Sequence, residues 1–185
     1  MKKKIQLFLF LLLAAQSYSQ ARITQIITKQ NDTITDVILK NKYTFKNELF
    51  MNLQEKLIVV NMHGVKKEYL PNELYSFTLT YDNESFVYES IDDKLFGQLI
   101  YSDQLRLLKV NTRNFFIFIF KRPKNGKTSY MEAKGLSRLI SQNVISREMA
   151  DCPDILKKVD DKTLKIHGVE GVIELIKYYE ANCLK

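Results

Sequence analysis

The sequence predicts an α+β fold: an antiparallel β-meander or barrel-like sheet, closed or strongly curved, followed by a C-terminal helical unit. Three observations carry this expectation. Between Arg22 and Lys134 the apolar residues fall in short runs, many alternating with polar ones and separated by turn residues. After Gly135 the spacing of apolar residues changes from two to about 3.6, the repeat of a helix. Strands come first and helices afterwards, which is the order of an α+β chain rather than of a parallel α/β sheet. The 185 residues are 45% hydrophobic and 26% charged, with Gly 6 and Pro 3, an ordinary composition for one globular domain. Collagen, low-complexity disorder and a polytopic membrane protein are excluded on the same grounds.

The first segment, residues 1–19, reads as a secretory signal peptide. Lys2, Lys3 and Lys4 form a basic start, Ile5 to Ala15 is an apolar run broken only by Gln6, and Ser17 and Ser19 fill the two small-residue positions before a cut between Ser19 and Gln20. A transmembrane anchor needs about 20 apolar residues, and this run is too short, so no membrane span is expected in the mature chain. Residues 20–134 form the β-rich body and 135–185 the helical unit, expected to share one core.

Within the body, Arg22 to Ile27 and Thr33 to Lys40 are β-branched runs around the turn Lys29-Gln30-Asn31-Asp32. Glu55 to Met62 and Val65 to Leu70 read as a hairpin about His63-Gly64. In Leu74 to Tyr81 the alternation places Tyr75, Phe77, Leu79 and Tyr81 on one sheet face. Ser85 to Ile91 returns after Asp82-Asn83, and Leu95 to Tyr101 and Leu105 to Val110 flank Ser102-Asp103. Phe115 to Phe120 is six consecutive apolar residues, a strand buried on both faces, with Arg113, Lys121, Arg122 and Pro123 as gatekeepers. Asn125-Gly126 then turns the chain into Thr128 to Lys134. In the helical unit Leu136, Leu139, Ile140, Val144 and Met149 share a stripe. Asp151-Cys152-Pro153 starts a short helix with Ile155, Leu156 and Val159 packed, and Val169, Val172, Ile173, Ile176 and Cys183 mark the apolar face of a last helix.

Charge narrows the function classes. Removing Lys2, Lys3 and Lys4 takes three of the 28 basic residues and none of the 21 acidic ones, so the net charge falls from +7 to +4. That excess is dispersed, unlike the dense basic stripe of a nucleic-acid site, so no nucleic acid is expected as a partner. Only His63 and His167 are present, each beside a glycine and neither with a metal ligand at helical spacing, so no metal or other cofactor is expected. No G-x-S-x-G elbow and no phosphate-binding glycine loop occurs, and no catalytic residue is assigned. Asp92-Asp93 and Asp160-Asp161 read as solvated turn acids. The two cysteines, Cys152 and Cys183, both lie in the helical unit of an exported chain and are read as a disulfide, since a redox or metal pair would want C-x-x-C spacing.

The leader end Ser17-Tyr18-Ser19-Gln20 looks like export signals of Bacteroidota, and the body resembles a group of uncharacterised small exported proteins from those bacteria. The resemblance rests on Glu68-Tyr69-Leu70-Pro71-Asn72-Glu73-Leu74-Tyr75-Ser76-Phe77, Leu95-Phe96 through Leu107-Leu108-Lys109, the aromatic strand, Asp151-Cys152-Pro153 and Tyr178-Tyr179-Glu180-Ala181-Asn182-Cys183. Where those proteins often carry Gly before the Leu-Leu-Lys strand, this chain has Ser102-Asp103. The resemblance implies export and no activity. The expected function is a non-enzymatic binding or envelope-associated module, periplasmic or secreted, with an envelope or extracellular partner. A hydrolase acting on an envelope or extracellular substrate is the alternative, and an apolar-ligand carrier the third reading if the sheet encloses a cavity.

Overall fold

The computed structural model describes residues 21–121, 128–135, 139–161 and 163–184. The expected leader with its cut at Ser19 and Gln20, the Asn125-Gly126 turn and Leu136 lie outside the described residues. The strands are β1 (Arg22–Thr28), β2 (Thr33–Ile34), β3 (Ile38–Leu39), β4 (Leu57–Val60), β5 (Lys66–Tyr69), β6 (Leu74–Tyr81), β7 (Glu84–Ile91), β8 (Leu95–Ser102), β9 (Arg106–Asn111), β10 (Phe116–Lys121), β11 (Thr128–Lys134) and β12 (Leu139–Ile140). The helices are α1 (Lys46–Glu55), α2 (Gln142–Glu148), α3 (Pro153–Asp160) and α4 (Gly168–Cys183). The fold is α+β, as the sequence predicts.

An antiparallel nine-stranded sheet runs in the order β12-β11-β10-β9-β8-β7-β6-β1-β2, so β6 to β12 form an uninterrupted meander. The sheet is open. A second sheet, β3-β4-β5, has three strands. Directly opposed residues of antiparallel strands share a face, and the register draws one row across seven strands: Ile26, Phe77, Tyr88, Gln98, Lys109, Phe118 and Met131. Both large apolar clusters sit on this face. At one end Ile26, Phe77 and Tyr88 pack under Leu49 and Leu53 of α1 and Leu57 and Tyr69 of the small sheet. At the other, Phe118 and Met131 pack under Ile145, Ile155, Val172 and Ile176 of the three C-terminal helices. Gln98 and Lys109 mark the seam between these two covers.

Several elements depart from the sequence expectation, each for a local reason. The run Thr33 to Lys40 is not one strand: Asp36 at φ 56 breaks it, sending β2 to the large sheet and β3 to the small one. Glu55 ends helix α1 rather than opening a strand. No helix was expected before Gly135, yet α1 buries Leu49, Phe50 and Leu53, and its Gln54 amide closes two hydrogen bonds with the Asn111 backbone of β9, donating to the carbonyl at 2.9 Å and accepting from the N–H at 2.5 Å. Tyr75 does not share a face with Phe77, because a register shift between β1 and β6 places Leu74 inward and leaves Tyr75 exposed. Leu139 and Ile140 are not helical. They form β12 on β11, and Ser141 caps the following helix by accepting from the Val144 N–H.

Phe118 and Phe120 are buried on the covered face and Ile119 on the other, so β10 is enclosed on both sides over its second half. What encloses Ile119 is the sheet itself. A Cβ at Gly97 would stand 2.6 Å from the Ile91 side chain, so the missing side chain makes room for Ile91 to lie across β8. The β7–β8 turn then reaches β11, where the Tyr130 hydroxyl donates to Asp92 at 3.0 Å.

Tyr88 supplies a stability test. Its ring stacks on Phe77 at 5.0 Å, and its hydroxyl is buried with no hydrogen-bond partner among the described residues. Burial pushes that phenol well above its ordinary range. A buried hydroxyl without a partner costs its lost hydration and returns nothing. Tyr88→Phe is therefore expected to keep stability unchanged or raise it by up to about 1 kcal/mol in urea unfolding. A comparable loss would show that the hydroxyl is bonded.

Candidate functional site

The curled side of the large sheet, opposite the helices, carries a groove of about 370 Å³. Its floor is apolar: Ile91, Leu108 and Ile119 belong to the small buried cluster on this face. The strand period places them there, since Leu99, Leu108, Ile119 and Tyr130 are opposed across β8 to β11. The rim is charged. Glu89 on β7 and Arg106 on β9 meet over the floor, with the guanidinium donating through Nε at 3.0 Å and through a second nitrogen to the other carboxylate oxygen. This fork raises the guanidinium pKa and fixes both side chains, as a bidentate pair does.

At one end of the groove Lys29 pairs with Asp93 at 2.8 Å and lies 4.7 Å from the ring centre of Tyr75. The hydrogen bond from Lys29 and its charge hold the Asp93 carboxyl below its usual range. The bulge that exposes Tyr75 is what brings its ring here. At the other end stand Lys121 and Thr128, opposed on β10 and β11. The groove therefore offers an apolar floor, an aromatic ring and charges of both signs, with Glu89 and Asp93 each paired to a cation.

Two other grooves lie elsewhere. One of about 250 Å³ sits between α3 and α4, lined by Lys158, Leu164, Glu174 and Tyr178, and one of about 420 Å³ lies beside β1 and β3, lined by Arg22, Asp36 and Ile38. Neither histidine lines any of the three. His63 sits in the β4–β5 turn and His167 precedes α4, each exposed. Among the described residues no group of three or more His, Cys, Asp and Glu side chains could hold a metal ion.

On the covered face the seam residue Lys109 is largely buried. Its ammonium lies 5.3 Å from the Phe116 ring centre, and desolvation lowers its pKa against the opposing charge of Glu170. Beside it the Gln98 side-chain Oε1 is buried without a hydrogen-bond partner among the described residues. Sequence reading found neither this polar pair nor the rim of the groove. The alternation in Leu95–Ser102 and Arg106–Asn111 shows only that such residues face a common side, not that the sheet curls around them.

Cys152 and Cys183 are joined in a disulfide, with Cα atoms 5.4 Å apart. No helix among the described residues is long and apolar enough to cross a membrane. Compared with protein-family models, curated proteins and solved structures, the chain shows no significant match to any.

Proposed function

We propose that the protein is an exported binding module that holds a small amphipathic ligand, bearing an apolar portion and charge of either sign, in the groove of the curled sheet face. The groove carries this reading: an apolar floor at Leu108 and Ile119 flanked by the fixed Glu89–Arg106 fork, Lys29–Asp93 and Tyr75. Its size falls in the range of about 300–1,000 Å³ usual for small-molecule sites. Export is supported by the basic and apolar leader at residues 1–19, by the Cys152–Cys183 disulfide, and by the resemblance to small exported proteins of Bacteroidota. The hydrolase reading gains no support here. A general acid near neutral pH needs a raised carboxyl pKa, whereas Asp93 is shifted down by Lys29.

The test is small-molecule mass spectrometry of the protein purified from its native compartment under oxidising conditions. Tyr75→Ala combined with Arg106→Ala alters exposed rim positions and is expected to leave melting unchanged while cutting retention of the co-purifying ligand at least about tenfold. Equal retention by the variant would overturn the groove assignment. His63→Gln with His167→Gln is expected to change nothing.

A further inference from the structure

We propose that the outer face of the small sheet and the tip of its β4–β5 hairpin form a docking surface for an anionic lipid bilayer. This surface lies on the side of the large sheet opposite the groove, because the inner residues of the small sheet, Leu57, Val59 and Tyr69, pack into the cluster under α1. The alternate residues face outward. Two cross-strand rows run across this outer face, Ile38–Val60–Lys66 and Lys40–Ile58–Glu68.

Ile38 is 59% exposed, and at the tip Met62 is 78% and Val65 59% exposed. Met62 is the most exposed large hydrophobic side chain among the described residues. The tip that presents it is rigid by construction. The Asn61 side chain accepts from the N–H groups of His63 and Val65 at 3.0 and 2.9 Å, and Gly64 takes φ 77. A hydrogen-bonded turn thus holds two bare aliphatic side chains outward, where water gives them no return.

The charges around this apolar tip favour one occupant. Lys40 and Lys66, on the two outer rows, are exposed and form no ion pair among the described residues, whereas Lys67 opposes Val59 on the inner row, its ammonium 4.3 Å from the Tyr69 ring centre. Glu68, the carboxylate of the outer rows, is taken by Lys56 at 3.0 Å, and Asp36 at the entry to β3 accepts from the Thr35 hydroxyl. Between Ile38 and Leu70 the chain holds six lysines against three glutamates, which is most of the +4 excess left after the leader. Short aliphatic residues that dip below a headgroup plane, ringed by unpaired lysines level with it, fit an anionic bilayer surface. An acidic protein partner would bring a carboxylate complement but no reason for the bare Met62 and Val65 at a protruding tip.

The test is co-sedimentation with vesicles of phosphatidylglycerol, with phosphatidylcholine vesicles as the uncharged control. Every buried residue of the described chain lies at Ile23 or later, so a chain starting at Gln20 keeps the core and removes the apolar leader as a source of binding. Binding to phosphatidylglycerol should exceed that to phosphatidylcholine and fall as salt is raised. Lys40→Gln with Lys66→Gln should weaken it by about fivefold per lysine, and Met62→Asp with Val65→Asp by at least about tenfold, with melting unchanged because all four positions are exposed. Equal binding to both vesicles, or variants that bind like the parent, would overturn the proposal. So would a dimer in sedimentation that Met62→Asp dissociates, which would assign the surface to a second copy instead.

Discussion

Replacing Cys152 and Cys183 together by Ala is expected to lower stability by roughly 3.5–4 kcal/mol, the chain entropy restored to the unfolded state when a loop of 31 residues is opened. That is a large share of the 5–15 kcal/mol typical of a domain. For a chain of this length it corresponds to a fall in melting temperature on the order of 10 °C. The loss should be local before it is global. The disulfide joins the residue before α3 to the last residue of α4, and the Tyr179 hydroxyl donates to Asp151 at 2.6 Å beside it. Without the bond this corner depends on that hydrogen bond and on the burial of Ile155, Val159 and Ile176. Hydrogen exchange should therefore accelerate in α3 and α4 before it does in β6 to β9. A melting temperature within about 2 °C of the parent would show that the bond does not stabilise the fold by constraining the unfolded chain.

The bond illustrates what kind of information the sequence carries. Cys152 and Cys183 are the two cysteines of the chain, and the expectation of export suggested their pairing without knowledge of the fold. The strands from Leu74 to Lys134 were equally legible, because a period of two and turn residues such as Asp82-Asn83 are local signals; both turn residues take positive φ as expected of Asx residues there. Helix α1 was not. Its N-cap position is Phe45, which offers no side-chain oxygen, and the acceptor that helps is Glu48, reaching back to the Thr44 N–H at 2.6 Å. Leu139-Ile140 suits a strand or a helix, and only pairing with Ala133 and Lys134 decides it. The groove was the least legible part. Lys29, Tyr75, Glu89 and Arg106 come from four strands or their ends, and what gathers them is curvature that depends on a glycine at 97 and a register shift beside Leu74.

Glu180 is a polar position where a single substitution should cost several kcal/mol. It is a helix carboxylate only 6% exposed. One carboxylate oxygen accepts from the Leu105 N–H at 2.6 Å and the other from the Tyr101 hydroxyl at 2.5 Å, so α4 is pinned to the β8–β9 turn. Hydrogen bonds to a charged group are worth about 1.5–3 kcal/mol each, so Glu180→Ala should cost about 3–5 kcal/mol and leave the buried Leu105 N–H without an acceptor. Glu180→Gln keeps one acceptor oxygen and should cost about 1 kcal/mol. The hydrogen bond to Glu180, then desolvation and its negative charge, push the Tyr101 phenol up to about 12. A phenol whose folded pKa is raised favours the protonated form in the fold. Its contribution is complete below the ordinary value of about 10 and is lost as pH rises from there through 12. Wild-type stability should fall across that window more steeply than that of Tyr101→Phe, which has no phenol to titrate. In Glu180→Gln the Tyr101 resonance, followed by NMR with labelled tyrosine, should titrate closer to 10. A Tyr101 titration unchanged by that substitution, together with a loss below about 1 kcal/mol in Glu180→Ala, would show that the carboxylate does not hold the helix to the sheet.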